Sequence, residues 1–421
     1  MVSKPTLYYG ALTLGAAVVL AWYLHVPLPE SLTDRTKLQF YEMIMRLGYF
    51  YPSRALLFVD AHLSLKWTRA TLANFMRIYS PWTSSDPDMT ILNRKWAGVP
   101  VRVYDPHERV NDGAVIFIHG GGWVLGDVEG YEAVTRELAR RLGMLLVSVE
   151  YRLAPEYVFP AGVEDCDAAV SWFLREGHRQ YGVDPNRTVI MGDSAGGNLA
   201  AVTTQRLKRK FDLPRIKLQV LLYPLLQYHD FHLPSYQQHQ KTTMANTAFL
   251  DPESIARYGL MYLGVDVELG PDQVGSLLAN EHSAPLLAQE MQGLLLEDYI
   301  DHDRLPFHFR NHSTYERKAL EHTRTNRELS AKLSPYLLNP DFSPLVRDDL
   351  TDLPPAYLLT CHFDILRDEG ALYASRLREQ GVSVEWRHYE NGFHAMLNFF
   401  MQIELADHAL QEVVEFVLGN V

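Results

Sequence analysis

The residues of this chain best placed to do chemistry are a serine, an aspartate, a histidine and a run of glycines. The serine is Ser194, in "TVIMGDSAGGNLAAVTTQRL". Thr188 to Met191 is apolar and β-favouring, and the residues after Gly197 favour helix, so Ser194 falls at a sharp strand-to-helix turn. Glycines at 192 and 196 relieve crowding where the chain bends and helix and strand approach closely. Such a turn lifts a hydroxyl to the carboxyl edge of a sheet and aims a helix N-terminus at charge developing beside it. Taken alone, the same pattern fits an idle serine in a tight turn, so its context has to decide.

Upstream lies "FIHGGGWVLGDVEGY", an apolar strand that ends in three consecutive glycines. Their backbone N–H groups carry no obstructing side chain, as an oxyanion hole requires. Gly121 and Gly122 are the expected donors, joined by the N–H of Ala195, the residue after the serine. A serine hydroxyl also needs a base, and the base an orienting acid. Position selects His394 among 17 histidines: in "YENGFHAML" it follows the strand "SVEWRHY" in a Gly-containing loop. Asp364 immediately follows the strand "AYLLT"; Asp368, four residues on and within the next helix, is the rival acid. Serine, acid and histidine then occur in the chain order of α/β-hydrolases. Asp193 reads as a turn-stabilising residue rather than a second acid.

Other chemistries fit poorly. A formal net charge of -12 opposes a nucleic-acid partner, which needs a basic face. The one basic cluster, Arg206 with Lys208, Arg209 and Lys210, reads as a solvated helix end. No Gly-Lys-Ser/Thr follows the glycines and the dinucleotide spacing is missing, so no nucleotide or other cofactor is expected. His308 and His312 have i, i+4 spacing without the glutamate of a zincin, and no metal is expected. Two cysteines, Cys166 and Cys361, permit one bridge at most.

The elements that must hold these residues follow from texture. Residues 26–98 read as N-terminal amphipathic helices, and from 99 short buried strands alternate with helices through 225. That rhythm is lost over 226–350, a His-, Gln-, Leu- and Tyr-rich insertion, and resumes over 351–421. The expected architecture is an α/β fold with a mostly parallel sheet covered by helices, capped jointly by the N-terminal helices and the insertion. "YRLAPEYVFP" reads as a structural loop beneath the oxyanion strand, fixed by Arg152 and its prolines.

No charged side chain occurs from Pro5 through Pro29. The apolar core, 5–25, is long enough to span a bilayer, and bulky Trp22, Tyr23 and Leu24 occupy the place where a signal peptide would be cleaved. It reads as a transmembrane signal anchor after a short cytosolic tail, 1–4. Positive-inside counting is nearly balanced. Two glycosylation sequons, "NRT" at Asn186 and "NHS" at Asn311, favour a lumenal body.

"HGGGW", "YRLAPEYVFP", "GDSAGGN", "DILRDEG" and "NGFHA" together resemble the hormone-sensitive-lipase-like branch of the α/β-hydrolases, and with the N-terminal segment the arylacetamide deacetylase-like family. The resemblance runs in order along the whole chain. It implies a single-pass type II protein of the endoplasmic reticulum membrane with a lumenal catalytic domain. The substrates it implies are small apolar carboxylic esters, arylamides or lipid esters. It places the nucleophile at Ser194, the acid at Asp364, the base at His394 and the oxyanion loop at His119, Gly120, Gly121 and Gly122. An acylglycerol lipase and a catalytically silent binding module stay open as other readings. The chain departs from the family at Val124, where related deacetylases often carry cysteine able to pair near the acid, at Glu150, usually Asp or Asn, and at Ala395, where glycine commonly follows the histidine.

Overall fold

A computed structural model describes Gly15 and residues 25–79, 86–241, 247–265, 271–283, 299–317 and 324–421. The expected anchor, 5–25, lies outside the described residues apart from Gly15 and His25. Among the described residues no helix is long and apolar enough to cross a membrane.

Eight strands form one sheet in the order β1-β2-β4-β3-β5-β6-β7-β8. They are β1 (Met89–Trp96), β2 (Val99–Pro106), β3 (Ala114–Ile118), β4 (Leu145–Val149), β5 (Thr188–Asp193), β6 (Leu218–Leu222), β7 (Ala356–Phe363) and β8 (Val384–Phe393). β1 and β2 pair antiparallel, β2 joins β4 antiparallel, and every pairing from β4 through β8 is parallel. β1 corrects one boundary: it lies within the 26–98 stretch read as helical. Only its ends, Met89 and Trp96, are buried, and the exposed Asn93-Arg94-Lys95 segment hides the period of two on this edge strand.

The central strands are apolar at successive positions because both faces are covered. Ile116, Ile118, Val147, Ile190 and Leu221 pack to one side with the helices Ala161–Trp172, Ala195–Leu207 and Arg367–Glu379. Val115, Phe117, Leu146, Val189 and Met191 pack to the other with Glu132–Leu142 and Glu404–Asn420. Cys166 belongs to the first layer and Cys361 to the second, and both thiols are free. The sheet itself separates them, which rules out the one bridge the sequence allowed.

The N-terminal helices Arg35–Met45, Tyr51–Leu57 and Ala61–Tyr79 join the insertion through buried polar contacts. Glu42 is fully buried; it pairs with Arg46 and accepts the Ala248 N–H at 3.1 Å. Tyr49 donates its hydroxyl to the Ala248 carbonyl. The roots of the insertion are held at the sheet edge. Glu369 accepts the N–H groups of Leu226 and Gln227 at 2.6 and 2.8 Å, and Asn198 donates to the carbonyls of Leu225 and Phe342 at 2.9 Å each.

Candidate active site

Ser194 sits between β5 and the helix Ala195–Leu207 with φ 55° and ψ -123°, a strained geometry for a residue with a side chain. Its N–H donates to the Leu222 carbonyl at 2.9 Å, tying the turn to the end of β6. The flanking glycines are demanded by contact: a Cβ on Gly196 would lie 2.1 Å from the Ile118 carbonyl oxygen, and one on Gly192 2.3 Å from the Gly196 oxygen. Helix and strand thus approach too closely for any other residue.

The parallel order of β5, β6, β7 and β8 puts three loop ends side by side at one sheet edge. Asp364 leaves β7 and His394 leaves β8 there. His394 Nε2 stands 3.0 Å from Ser194 Oγ, and its Nδ1 stands 2.8 Å from Asp364 Oδ2. The other carboxylate oxygen of Asp364 accepts the Leu366 N–H at 2.9 Å, which fixes the acid's orientation. All three side chains are more than nine-tenths buried. Asp368, the rival acid, faces elsewhere. It accepts from Arg367 Nε at 2.7 Å and from the Ser235 N–H at 2.6 Å, and so binds the insertion to the helix Arg367–Glu379.

Gly121 and Gly122 have φ of 118° and 61°, conformations open to glycine. Their N–H groups and that of Ala195 meet no described acceptor, whereas the Gly120 N–H is already engaged with Asp193 Oδ1 at 2.7 Å. His119 is buried, stacks on Tyr151 with ring centroids 4.4 Å apart and hydrogen-bonds the Gly120 carbonyl at 2.8 Å. Burial pushes its imidazole down to about 4, so the ring is a neutral support for the loop.

Sequence reasoning undervalued Asp193. Besides the Gly120 N–H, its carboxylate accepts the Tyr131 hydroxyl at 3.0 Å, so it clamps the glycine loop to the strand that leads into Ser194. Burial raises it to about 6 against the hydrogen bonds that oppose the rise. The loop "YRLAPEYVFP" acts structurally as expected. Arg152 grips Asp165 with bonds of 2.8–3.0 Å, Ala154 N–H donates to the Trp123 carbonyl at 2.9 Å, and Tyr151 hydroxyl donates to the His119 carbonyl at 2.9 Å.

Ser194 and His394 open onto a cavity of about 390 Å³. The N-terminal helices line it with Tyr49, Leu72, Phe75 and Met76, and the insertion with Phe249 and Tyr258. The spacing of Leu72, Phe75 and Met76, i, i+3 and i+4, is that of any core-facing helix, so nothing in their pattern marks a cavity. Asn186 and Asn311 are both exposed.

Among the described residues one group, His362, His388 and Glu390, brings potential metal-ligand atoms within 4.8 Å of one another. Its donor set suits a metal poorly. Gln238 accepts from Arg367 at 2.8 Å through its oxygen, so its amide group faces His362 Nε2 at 3.2 Å and donates. The His362 ring proton is then on Nδ1, turned toward Glu390 at 3.4 Å, where a metal would need a lone pair. His308 and His312 diverge: one lies 3.7 Å from Glu390, the other 2.6 Å from Thr314 Oγ1.

A family model described as the alpha/beta hydrolase fold matches residues 115–294 and 304–398. The chain is 36% identical to arylacetamide deacetylase of Bos taurus over 401 residues, covering 93% of this chain and 94% of that one. It is 35% identical to neutral cholesterol ester hydrolase 1 of Pongo abelii over 398 residues, covering 92% of each. Among solved structures, the esterase of Pyrobaculum calidifontis superposes with a TM-score of 0.61 at 27% identity, covering 87% of this chain and 97% of that one.

Proposed function

The chain belongs to the arylacetamide deacetylase and neutral cholesterol ester hydrolase family, in the hormone-sensitive-lipase-like branch of the α/β-hydrolases, and is a carboxylic ester hydrolase; from that premise we propose that it works through an acyl-enzyme on Ser194 while anchored in a membrane by residues 5–25. The observation that carries the mechanism is the hydrogen-bonded sequence Ser194, His394, Asp364 beside an apolar cavity.

His394 Nε2 takes the Ser194 proton as Oγ attacks the ester carbonyl. The N–H groups of Gly121, Gly122 and Ala195 receive the tetrahedral oxyanion, with Asp193 and His119 holding the glycine loop for them. His394, its imidazolium stabilised by Asp364, returns the proton to the leaving alcohol or amine. Water then repeats the sequence to release the acid. No step calls on a metal or an organic cofactor.

The cavity favours short-acyl esters or arylamides over acylglycerols. At about 390 Å³ it is near the lower end of small-molecule pockets, which run from about 300 to 1,000 Å³. In this reading the N-terminal helices and the insertion 226–350 form the cap that sets acyl length. The apolar 5–25 segment and the exposed sequons Asn186 and Asn311 support a type II protein of the endoplasmic reticulum with a lumenal body. A fluorophosphonate probe tests the enzyme. Labelling of the wild type should vanish in Ser194→Ala, with hydrolysis of a short aryl ester falling by at least about 10³-fold. Labelling that survives the substitution would overturn the assignment. Preference for long-chain acylglycerols over short aryl esters and acetylated arylamines would overturn the substrate class, and the absence of a glycosidase-sensitive mobility shift would count against the lumenal body.

A further inference from the structure

The N-terminal helices expose an apolar surface that the catalytic reading leaves unused. Thirteen large apolar side chains stand exposed among the described residues, and seven of them, Phe40, Leu47, Tyr51, Phe58, Val59, Leu63 and Trp67, fall between residues 40 and 67. The other six are scattered from Val110 to Met401. Phe58 and Val59, at the tip of the turn joining Tyr51–Leu57 to Ala61–Tyr79, are 88% and 77% exposed. A surface cluster of this kind marks an interaction site rather than ordinary scatter.

Internal bonds hold together the helices that carry these residues. Trp67 donates its indole N–H to the Gly48 carbonyl at 3.1 Å, and Ser64 donates its hydroxyl to the Ser53 carbonyl at 2.7 Å. The helices therefore lie side by side. Leu63 and Trp67, one turn apart, face outward, while Leu65 and Thr68 are buried between them. The indole's polar atom is satisfied, yet its ring remains open, an arrangement suited to a boundary between apolar and wet surroundings.

What covers this surface follows from its two neighbours. Gln39 donates to the Val26 carbonyl at 2.8 Å, so the chain emerging from the uncharged 5–25 segment is held against the helix Arg35–Met45, one residue from Phe40. A bilayer holding that segment would therefore lie beside the exposed patch. The same helices turn other side chains, Tyr49, Leu72, Phe75 and Met76, into the cavity above Ser194. Phe58, Val59, Leu63 and Trp67 line no part of that cavity. We infer that the 40–67 surface rests on the lipid bilayer, so that the cavity draws its ester from the membrane rather than from bulk water. This rests on the anchored-hydrolase reading above. The class of substrate it selects is a lipophilic ester or arylamide that partitions into lipid.

The test uses the full chain reconstituted in phosphatidylcholine vesicles, with a nitroxide on Phe58→Cys. Cys166 and Cys361 are fully buried, so the introduced thiol is the one labelled. Phe211→Cys is the control. Phe211 is comparably exposed, at 84%, but follows the C-terminal end of the helix that begins beside Ser194. Relaxation at position 58 should be dominated by oxygen, which concentrates in lipid, and at 211 by a water-soluble nickel chelate. In parallel, the Phe58→Asp/Val59→Asp double variant should raise KM about tenfold for a bilayer-dissolved ester. It should leave kcat/KM on a water-soluble short aryl ester within twofold, which shows that the variant is folded. Equal nickel access at 58 and 211 would overturn the inference, as would spin–spin broadening at 58, the mark of a second copy covering the surface. Alkaline carbonate extraction distinguishes the two failures. Release of the chain with oxygen contact retained at 58 would sink the anchor and leave the docked surface standing.

Discussion

Asp193 lies directly beside the nucleophile, buried, with its carboxylate raised from 3.8 to about 6. An acid raised on folding binds its proton more tightly in the native state than in the unfolded one. Its contribution to stability therefore falls as pH rises from about 4 to 6 and stays low above that. The full cost at neutral pH is about 3 kcal/mol, from 1.36 kcal/mol for each tenfold change in proton affinity. The uncharged side chain of an Asp193→Asn variant carries no such cost. The variant should, however, lose about 1 kcal/mol at every pH, because an amide NH2 replaces one of the two oxygens that accept the Gly120 N–H and the Tyr131 hydroxyl. The stability difference between variant and wild type should consequently move in the variant's favour by about 2 kcal/mol between pH 4.5 and pH 8.

Catalysis should move the opposite way. Asp193 positions the loop whose next two N–H groups face the oxyanion, and loss of a single oxyanion donor costs about 10²–10³ in kcat. A loosened rather than deleted donor pair should cost about 10- to 100-fold on a soluble aryl ester, mainly in kcat. Denaturant unfolding at the two pH values and steady-state kinetics at pH 8 check both halves. A stability difference that is flat with pH would refute the buried-carboxylate argument. A kcat within twofold of wild type would refute the clamp.

Two further outcomes follow from local geometry. Ala395 adopts φ 62°, so Ala395→Gly should raise stability by about 1 kcal/mol with kcat unchanged; a loss of stability would show that the alanine methyl's packing outweighs the strain. Because Cys166 and Cys361 are free and buried on opposite faces of the sheet, a reductant should leave the unfolding midpoint where it was, and neither thiol should react with a maleimide before unfolding; a midpoint lowered by reductant would mean a bridge had formed.

The parts of this molecule that could be read from sequence are those where backbone geometry dictates residue type. Gly192 is legible because strand β5 and its helix approach within a distance no Cβ tolerates, Gly196 because that helix crowds the end of β3 in the same way, and Gly121 and Gly122 because their φ is positive. Asp364 and His394 were found because parallel strands deliver successive loop ends to one edge, so chain order and strand position together stand in for spatial position. Where side chains do two jobs with one pattern, the sequence was mute. Asp193 reads as a turn residue because it ends β5 directly before the turn at Ser194; its clamp depends on Gly120 and Tyr131, which are 73 and 62 residues away. Strand β1 escaped because an edge strand exposed along its middle has no alternation to detect. The helices over the cavity show the limit most clearly. Helix Ala61–Tyr79 sends Leu72, Phe75 and Met76 toward Ser194, but leaves Leu63 and Trp67 facing outward. To a hydrophobic period this is one helix with too many apolar residues; only the fold separates the side that lines the cavity from the side that faces outward.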